Sequence, residues 1–207
     1  MRRRLLTVLR LFFGIILLIL VAILLYDYGE ERKRQRSTYA LSLEEQSLIR
    51  TGDIILRAGY GFVSEAIVMT LGDTCGASHC GIIIRNGDEL LVIHTLSPEV
   101  SESGGMQQCS LNQFVRDSKQ GSVAVVRYKN GDGERIAAKA TYYLGKQVPF
   151  DRSFDLRDSS TFFCSEVPYR ILYDEFGFDL LQGAEPVIGN CKFSLFLDTA
   201  SFSRVIN

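Results

Sequence analysis

Histidine is scarce in this sequence: its 207 residues hold only two, His79 and His94. The five cysteines contain no C-x-x-C pair. Cys75, His79 and Cys80 can be drawn as a zinc set, but their spacing fits no common template, so no metal and no cofactor is expected. Formal net charge is −1, which excludes the overall basic field of a nucleic-acid binder. No internal repeat and no low-complexity tract occurs. An odd cysteine count is compatible with one free thiol plus two disulfides, which would suit an oxidising compartment, but spacing alone does not choose.

What is present begins with an apolar run. No residue from Leu11 to Tyr26 is charged, and Leu5–Leu9 extends the run with only Arg10 interrupting. That makes about 20 residues, enough to cross a bilayer as a helix. The run closes on Ala22-Ile-Leu-Leu-Tyr26 without a small-x-small cleavage site, so an uncleaved anchor is expected rather than a signal peptide. Arg2, Arg3, Arg4 and Arg10 precede it. Arg32, Lys33, Arg34 and Arg36 follow, mixed with Asp27, Glu30 and Glu31. The counts nearly tie, but the leading cluster lies closer to the membrane. The expected topology is single-pass, with the N-terminus inside and the domain on the outer, extracytoplasmic side.

The chain divides into an anchor (1–28), a charged tether (29–50) and a folded domain (51–207). At 23% charged and 46% hydrophobic residues, the remainder reads as globular. Ser42-Leu-Glu-Glu45 and Ser110-Leu-Asn-Gln113 have capping-box spacing and open short helices. Residues 52–57, 78–85, 90–95 and 122–127 read as strands. Helices are expected at 63–71, closed by Gly72, at 133–145, capped by Asp132, and at 164–176. Residues 149–163 look irregular, and the last 30 or so show no clear pattern. Because the clearest connection is a two-residue hairpin at Asn86-Gly87, the domain should be α+β with a mainly antiparallel sheet packed by helices.

That hairpin carries chemistry. With Asn86 and Gly87 as the loop, Arg85 faces Asp88, Ile83 faces Leu90, Gly81 faces Val92, and His79 faces His94. Both histidines then share one sheet face. A structural reading exists, two hydrogen-bonded histidines on a half-buried sheet, but two in register in a chain with no others point to a site. Cys164 sits where a helix should begin, between Phe162-Phe163 and Ser165-Glu166. There the dipole and free N–H groups favour a thiolate and can hold an oxyanion. Cys80 should point away from His79. Thiol, imidazole and an orienting group are the parts of a thiol hydrolase: Cys164 the nucleophile, His79 the base, His94 fixing the tautomer of His79.

These pieces resemble the permuted papain-like cysteine hydrolases of the NlpC/P60 superfamily, YiiX-like branch. The matching stretches, in order, are Thr51-Gly-Asp-Ile-Ile-Leu, Ser64-Glu-Ala-Ile, Ser78-His-Cys-Gly-Ile, Val92-Ile-His94, Tyr143-Leu-Gly-Lys, Pro149-Phe-Asp and Phe163-Cys-Ser-Glu-Val167. The resemblance implies the same three roles: His79 base, Cys164 nucleophile, His94 third polar residue. The order, base first and nucleophile last, is that of the permuted fold. YiiX-like proteins often carry Glu at the third position. Histidine there is similar to the lecithin:retinol acyltransferase-like relatives, which act on lipid acyl groups. Asp53 and Glu166 lie in the same motifs and are read as structural. Three functions follow. The first is an enzyme cleaving an amide in peptide or cell-wall material. The second acts on lipid acyl groups as hydrolase or acyltransferase. The third is a non-catalytic membrane binding module that keeps the fold.

Overall fold

The computed structural model describes residues 2–101 and 103–206. Helix α1 (Arg2–Gln35) leads into α2 (Leu43–Leu48), β1 (Ile54–Arg57), α3 (Gly61–Leu71), β2 (His79–Asn86), β3 (Glu89–Leu96) and β4 (Gly105–Ser110). Then come α4 (Leu111–Arg116), β5 (Ala124–Tyr128), α5 (Gly133–Gly145), α6 (Glu166–Phe176) and β6 (Phe202–Ile206), with short 3-10 turns at Ile188–Asn190 and Phe193–Leu197. The six strands form one antiparallel sheet in the order β4-β3-β2-β1-β5-β6. The domain is therefore α+β, as the hairpin signal predicts.

Alternation along the strands builds two cores. Ile54, Leu56, Cys80, Ile82, Ile93 and Val126 face the larger one, which α5, α6 and the C-terminal segment cover. Ile55, Ile83, Val92 and Val125 face the smaller one, under Leu111, Phe114 and Val115 of α4. Central strands covered on both faces read as unbroken apolar runs, which is why Ile54-Ile-Leu56 shows no polar alternation.

The caps follow the sequence. Ser42 and Glu45 close a full capping box, Ser110 accepts from the N–H of Gln113, and Asp132 accepts from those of Glu134 and Arg135. Gly72 ends α3 in the left-handed region at φ 54°, where a side chain would be strained. Asp53 is fully buried and pairs with Arg127 through both carboxylate oxygens, at 2.7 and 2.8 Å, while capping the N–H of Arg50 at 2.8 Å. It is structural.

Three features depart from expectation. Residues 29–35, at the start of the expected tether, continue α1 as helix. Strands β4 and β6 carry no clear alternation in sequence; β4 pairs with β3 and β6 with β5, so partner strands make them. The hairpin register also differs. Asn86 pairs with Glu89, and Ile83 with Val92, so the loop residues are Gly87 and Asp88. Gly87 has φ 61°, whereas Asn86 has none of the positive φ that a loop on 86–87 would require. Two-residue loops preserve parity, so His79 and His94 still share a face, one step diagonal.

A constellation of Cys164, His79 and His94 as candidate active site

The altered register puts His94 beside Gly81. A Cβ on residue 81 would lie 3.2 Å from His94 Cβ and 2.5 Å from Val92 Cγ1. The missing side chain leaves room for the two imidazoles to lean together across it. His79 Nε2 and His94 Nδ1 are 2.9 Å apart, and the rings meet edge-on at 77°. Phe114 of α4 closes this chamber, stacked on His79 at 5.6 Å and edge-on to His94 at 5.5 Å. Both histidines are buried.

Cys164 is half-buried, two residues before α6, with Ser165 at the helix N-cap. Two contacts tie its segment to the histidine strands. The residue after each histidine points to the opposite sheet face and donates to that segment. Cys80 Sγ donates to the carbonyl of Cys164 at 3.2 Å, and Thr95 Oγ1 to that of Phe162 at 3.5 Å. Ser165 Oγ donates to the carbonyl of Cys191 at 2.9 Å, so the C-terminal segment holds the turn from behind. The Cys164 segment thus reaches the end of β2 and β3 that carries the two histidines, through Cys80 and Thr95 on the opposite face of the sheet. Cys80 faces away from His79, as alternation requires, and all five cysteines are free. Among the described residues no three His, Cys, Asp or Glu side chains are grouped to hold a metal ion.

Burial governs the electrostatics of the three residues. Burial pushes the Cys164 thiol up to about 12, while the backbone N–H groups of Ser165 and Cys164 and the charge of Arg57 pull it back only in part. The helix start acts in the expected direction, but desolvation outweighs it. Burial also takes His79 well below its ordinary 6.5 and His94 down to about 3, with the Arg57 charge adding in each case. The Cys164 thiol and both imidazoles therefore rest uncharged. Glu166, also buried, is raised to about 7 by desolvation, which its Arg170 partner opposes.

Sequence reasoning missed two residues. Arg57 is paired in register with His79. Its guanidinium lies 4.5 Å from the Phe114 ring centre and donates to the carbonyls of Phe114 and Asp117. Its buried Nε has no hydrogen-bond partner among the described residues. Cys109 is the second. Its Sγ lies 3.5 Å from His94 Nε2. Neither sits in a motif. The signal for Arg57 was a charge ending an apolar strand, and Cys109 needed the β3–β4 pairing, which the sequence does not announce.

A half-buried cysteine just before a helix, tied to the strands that carry a hydrogen-bonded histidine pair in an antiparallel sheet, fits a papain-like cysteine hydrolase. Residues 48–182, more than half the chain, match the family described as "Permuted papain-like amidase enzyme, YaeF/YiiX, C92 family". The chain belongs to this family. Among solved structures it is similar to that of the metalloprotein yiiX from Escherichia coli O157:H7. The identity is 20% and the TM-score 0.57, covering 75% of this chain and 95% of that one. This is a likeness of fold. No curated protein gives a significant match.

Proposed function

We propose that this protein is a membrane-anchored cysteine amidase that cleaves an amide bond through an acyl-thioenzyme. The 2.9 Å contact between His79 and His94 supports this reading most directly. It occupies Nε2 of His79 and leaves Nδ1 as the base. Cys164 Sγ attacks the amide carbonyl carbon while its proton passes to His79 Nδ1. The N–H groups of Ser165 and Cys164, which face the sulfur, hold the oxyanion. Collapse breaks the C–N bond, and the amine leaves with the proton from His79. Water, deprotonated by His79, then releases the acid and restores the thiol.

For Nδ1 of His79 to accept a proton, Nε2 must carry one and donate it to His94 Nδ1. His94 is then protonated at Nε2, whose N–H points at Cys109 Sγ. The sulfur serves as acceptor and selects this tautomer. Arg57 lowers the cost of the thiolate and raises that of the imidazolium, so the charge-separated state is confined to the moment of attack.

Leu6–Gln35 forms one helix long and apolar enough to cross a membrane. We take it as an uncleaved anchor with the domain outside. A cysteine replacing exposed Leu43 should react with an impermeant thiol reagent in intact cells beyond the wild-type level; no added labelling refutes the orientation. The chemistry is tested with a thiol-directed acyl electrophile. Cys164→Ala should abolish labelling, and His79→Ala should lower its rate at least about a hundredfold. Unchanged labelling of Cys164→Ala refutes the assignment.

A further inference from the structure

We propose that α3 is a second membrane contact that seats the catalytic domain directly on the lipid surface. The proposal rests on the anchoring read above. Three observations carry it.

The first is how α1 grips α3. Asp27, the first charge after the apolar run, accepts from the N–H of Phe62 at 2.7 Å and so caps the start of α3. Tyr26 donates to Glu65 at 2.5 Å, and Glu65 also pairs with Lys119 at 3.2 Å. Glu30 is buried, and Ile23 is half-buried inside the apolar run. The anchor therefore does not hang from a loose tether. It is packed on the domain up to the last turn of its bilayer segment.

The second is direction. Tyr60 and Lys33 line one groove. Two residues on, Phe62 meets Asp27, and three further on, Glu65 meets Tyr26. As α3 advances, its partners on α1 retreat towards the apolar run. The two helices are antiparallel, and α3 descends towards the bilayer. Met69 lies one turn beyond Glu65, about 6 Å further, level with the last turn of the apolar run.

The third is the face α3 leaves uncovered. Phe62, Val63 and Met69 are 46%, 45% and 81% exposed, and half-buried Ala66 lies between them. Positions 62, 66 and 69 form one stripe, flanked by 63. Because α3 runs alongside the anchor, the C-terminal end of this stripe, at Met69, is the part that meets the boundary between headgroups and acyl chains. Tyr26 stands at the level where tyrosine and tryptophan concentrate.

The contact bears on the site. The first turn of α3 lies against the loop before β2. The N–H of Gly59 donates to Ser78 Oγ at 2.9 Å, and a Cβ on Gly59 would strike Ser64 Oγ at 2.4 Å. Ser78 directly precedes His79. The end of the sheet that carries His79 is thus linked through α3 to the lipid boundary.

The protein has no tryptophan, so one introduced indole reports its own surroundings. Full-length Leu17→Trp, Met69→Trp and Asp88→Trp variants are reconstituted in vesicles of phosphatidylcholine and phosphatidylglycerol, with and without brominated acyl chains. Leu17 marks the anchor. Asp88 lies at the hairpin tip, at the far end of β2. The expected result is strong bromine quenching at positions 17 and 69 and none at 88, with blue-shifted emission at 69. Quenching at 17 without quenching at 69 overturns the docking of α3 and leaves the anchor standing. Blue-shifted but unquenched emission at 69 means a protein partner or a second copy covers α3, which also overturns it. Equal quenching at 69 and 88 reduces the contact to non-specific adsorption and overturns it too. No quenching at 17 refutes the anchor itself.

Discussion

Gly81→Ala tests the link between fold and site with a single methyl group. Nothing about the backbone at residue 81 requires glycine, since its φ is not in the left-handed region. The constraint is space. The new Cβ would stand 2.5 Å from Val92 Cγ1, 2.9 Å from the carbonyl oxygen of Ile93 and 3.2 Å from His94 Cβ. Carbon atoms prefer about 3.5–4.0 Å, so the first overlap is about 1 Å. Val92 is fully buried and β-branched, with a stiff χ1, and the Ile93 contact is backbone. Strands β2 and β3 must separate slightly, at an overpacking cost of about 1–3 kcal/mol. For a chain of this size each kcal/mol lowers Tm by about 2–4 °C, so a drop of about 2–12 °C is expected by circular dichroism. His94 must also recoil, lengthening its 2.9 Å contact with His79. A shift of about 1 Å in a catalytic group can cost about a hundredfold, and a smaller recoil should slow acylation of Cys164 by about tenfold or more. Adding Val92→Ala removes the worst overlap and should recover part of the stability lost to Gly81→Ala. It leaves the His94 contact, so acylation should stay slow. A Gly81→Ala protein that melts within about 1 °C of wild type and acylates at full rate refutes this account.

Alkylation of Cys164 by iodoacetamide should rise about tenfold per pH unit from pH 6 to 9, because its thiol is raised to about 12 and only the thiolate reacts. Fast, pH-independent alkylation down to pH 5 would show a preformed thiolate–imidazolium pair instead. Asp53→Ala leaves Arg127 without its bidentate partner and Arg50 without its cap. Loss of one member of a buried pair costs about 3–5 kcal/mol, seen as a lower urea midpoint; a change under about 1 kcal/mol would mean the pair is solvent-screened. Cys109→Ala removes the acceptor at His94 Nε2. Nitrogen-15 NMR should then show His94 and His79 as tautomer mixtures, with slower acylation that Cys109→Ser restores in part. Unchanged tautomers would mean the sulfur positions nothing.

Much of this domain was legible in its residues, because the deciding interactions are local. Ser42, Ser110 and Asp132 bond to N–H groups two or three residues on, so their caps need no distant partner. Alternation and turn chemistry mark β2 and β3, and parity alone places His79 and His94 on one face whichever two residues form the loop. The pairing register itself required φ at Gly87 and the extended backbone of Asn86, which a one-residue ambiguity in turn position conceals.

The sequence by itself determined an apolar run able to span a bilayer, an α+β domain, and a cysteine at a helix start in a chain with only two histidines. Tertiary structure decided the rest. It set the site's electrostatics, since burial of Cys164 overcomes the helix-start effect and no sequence pattern reports desolvation. It brought Arg57 and Cys109 to the imidazoles, through the pairing of β1 with β2 and of β3 with β4. It packed the end of the apolar run against the domain, because Tyr26 and Asp27 found their partners on α3. Each depends on which surfaces meet, and that follows from closing the sheet and packing its two faces.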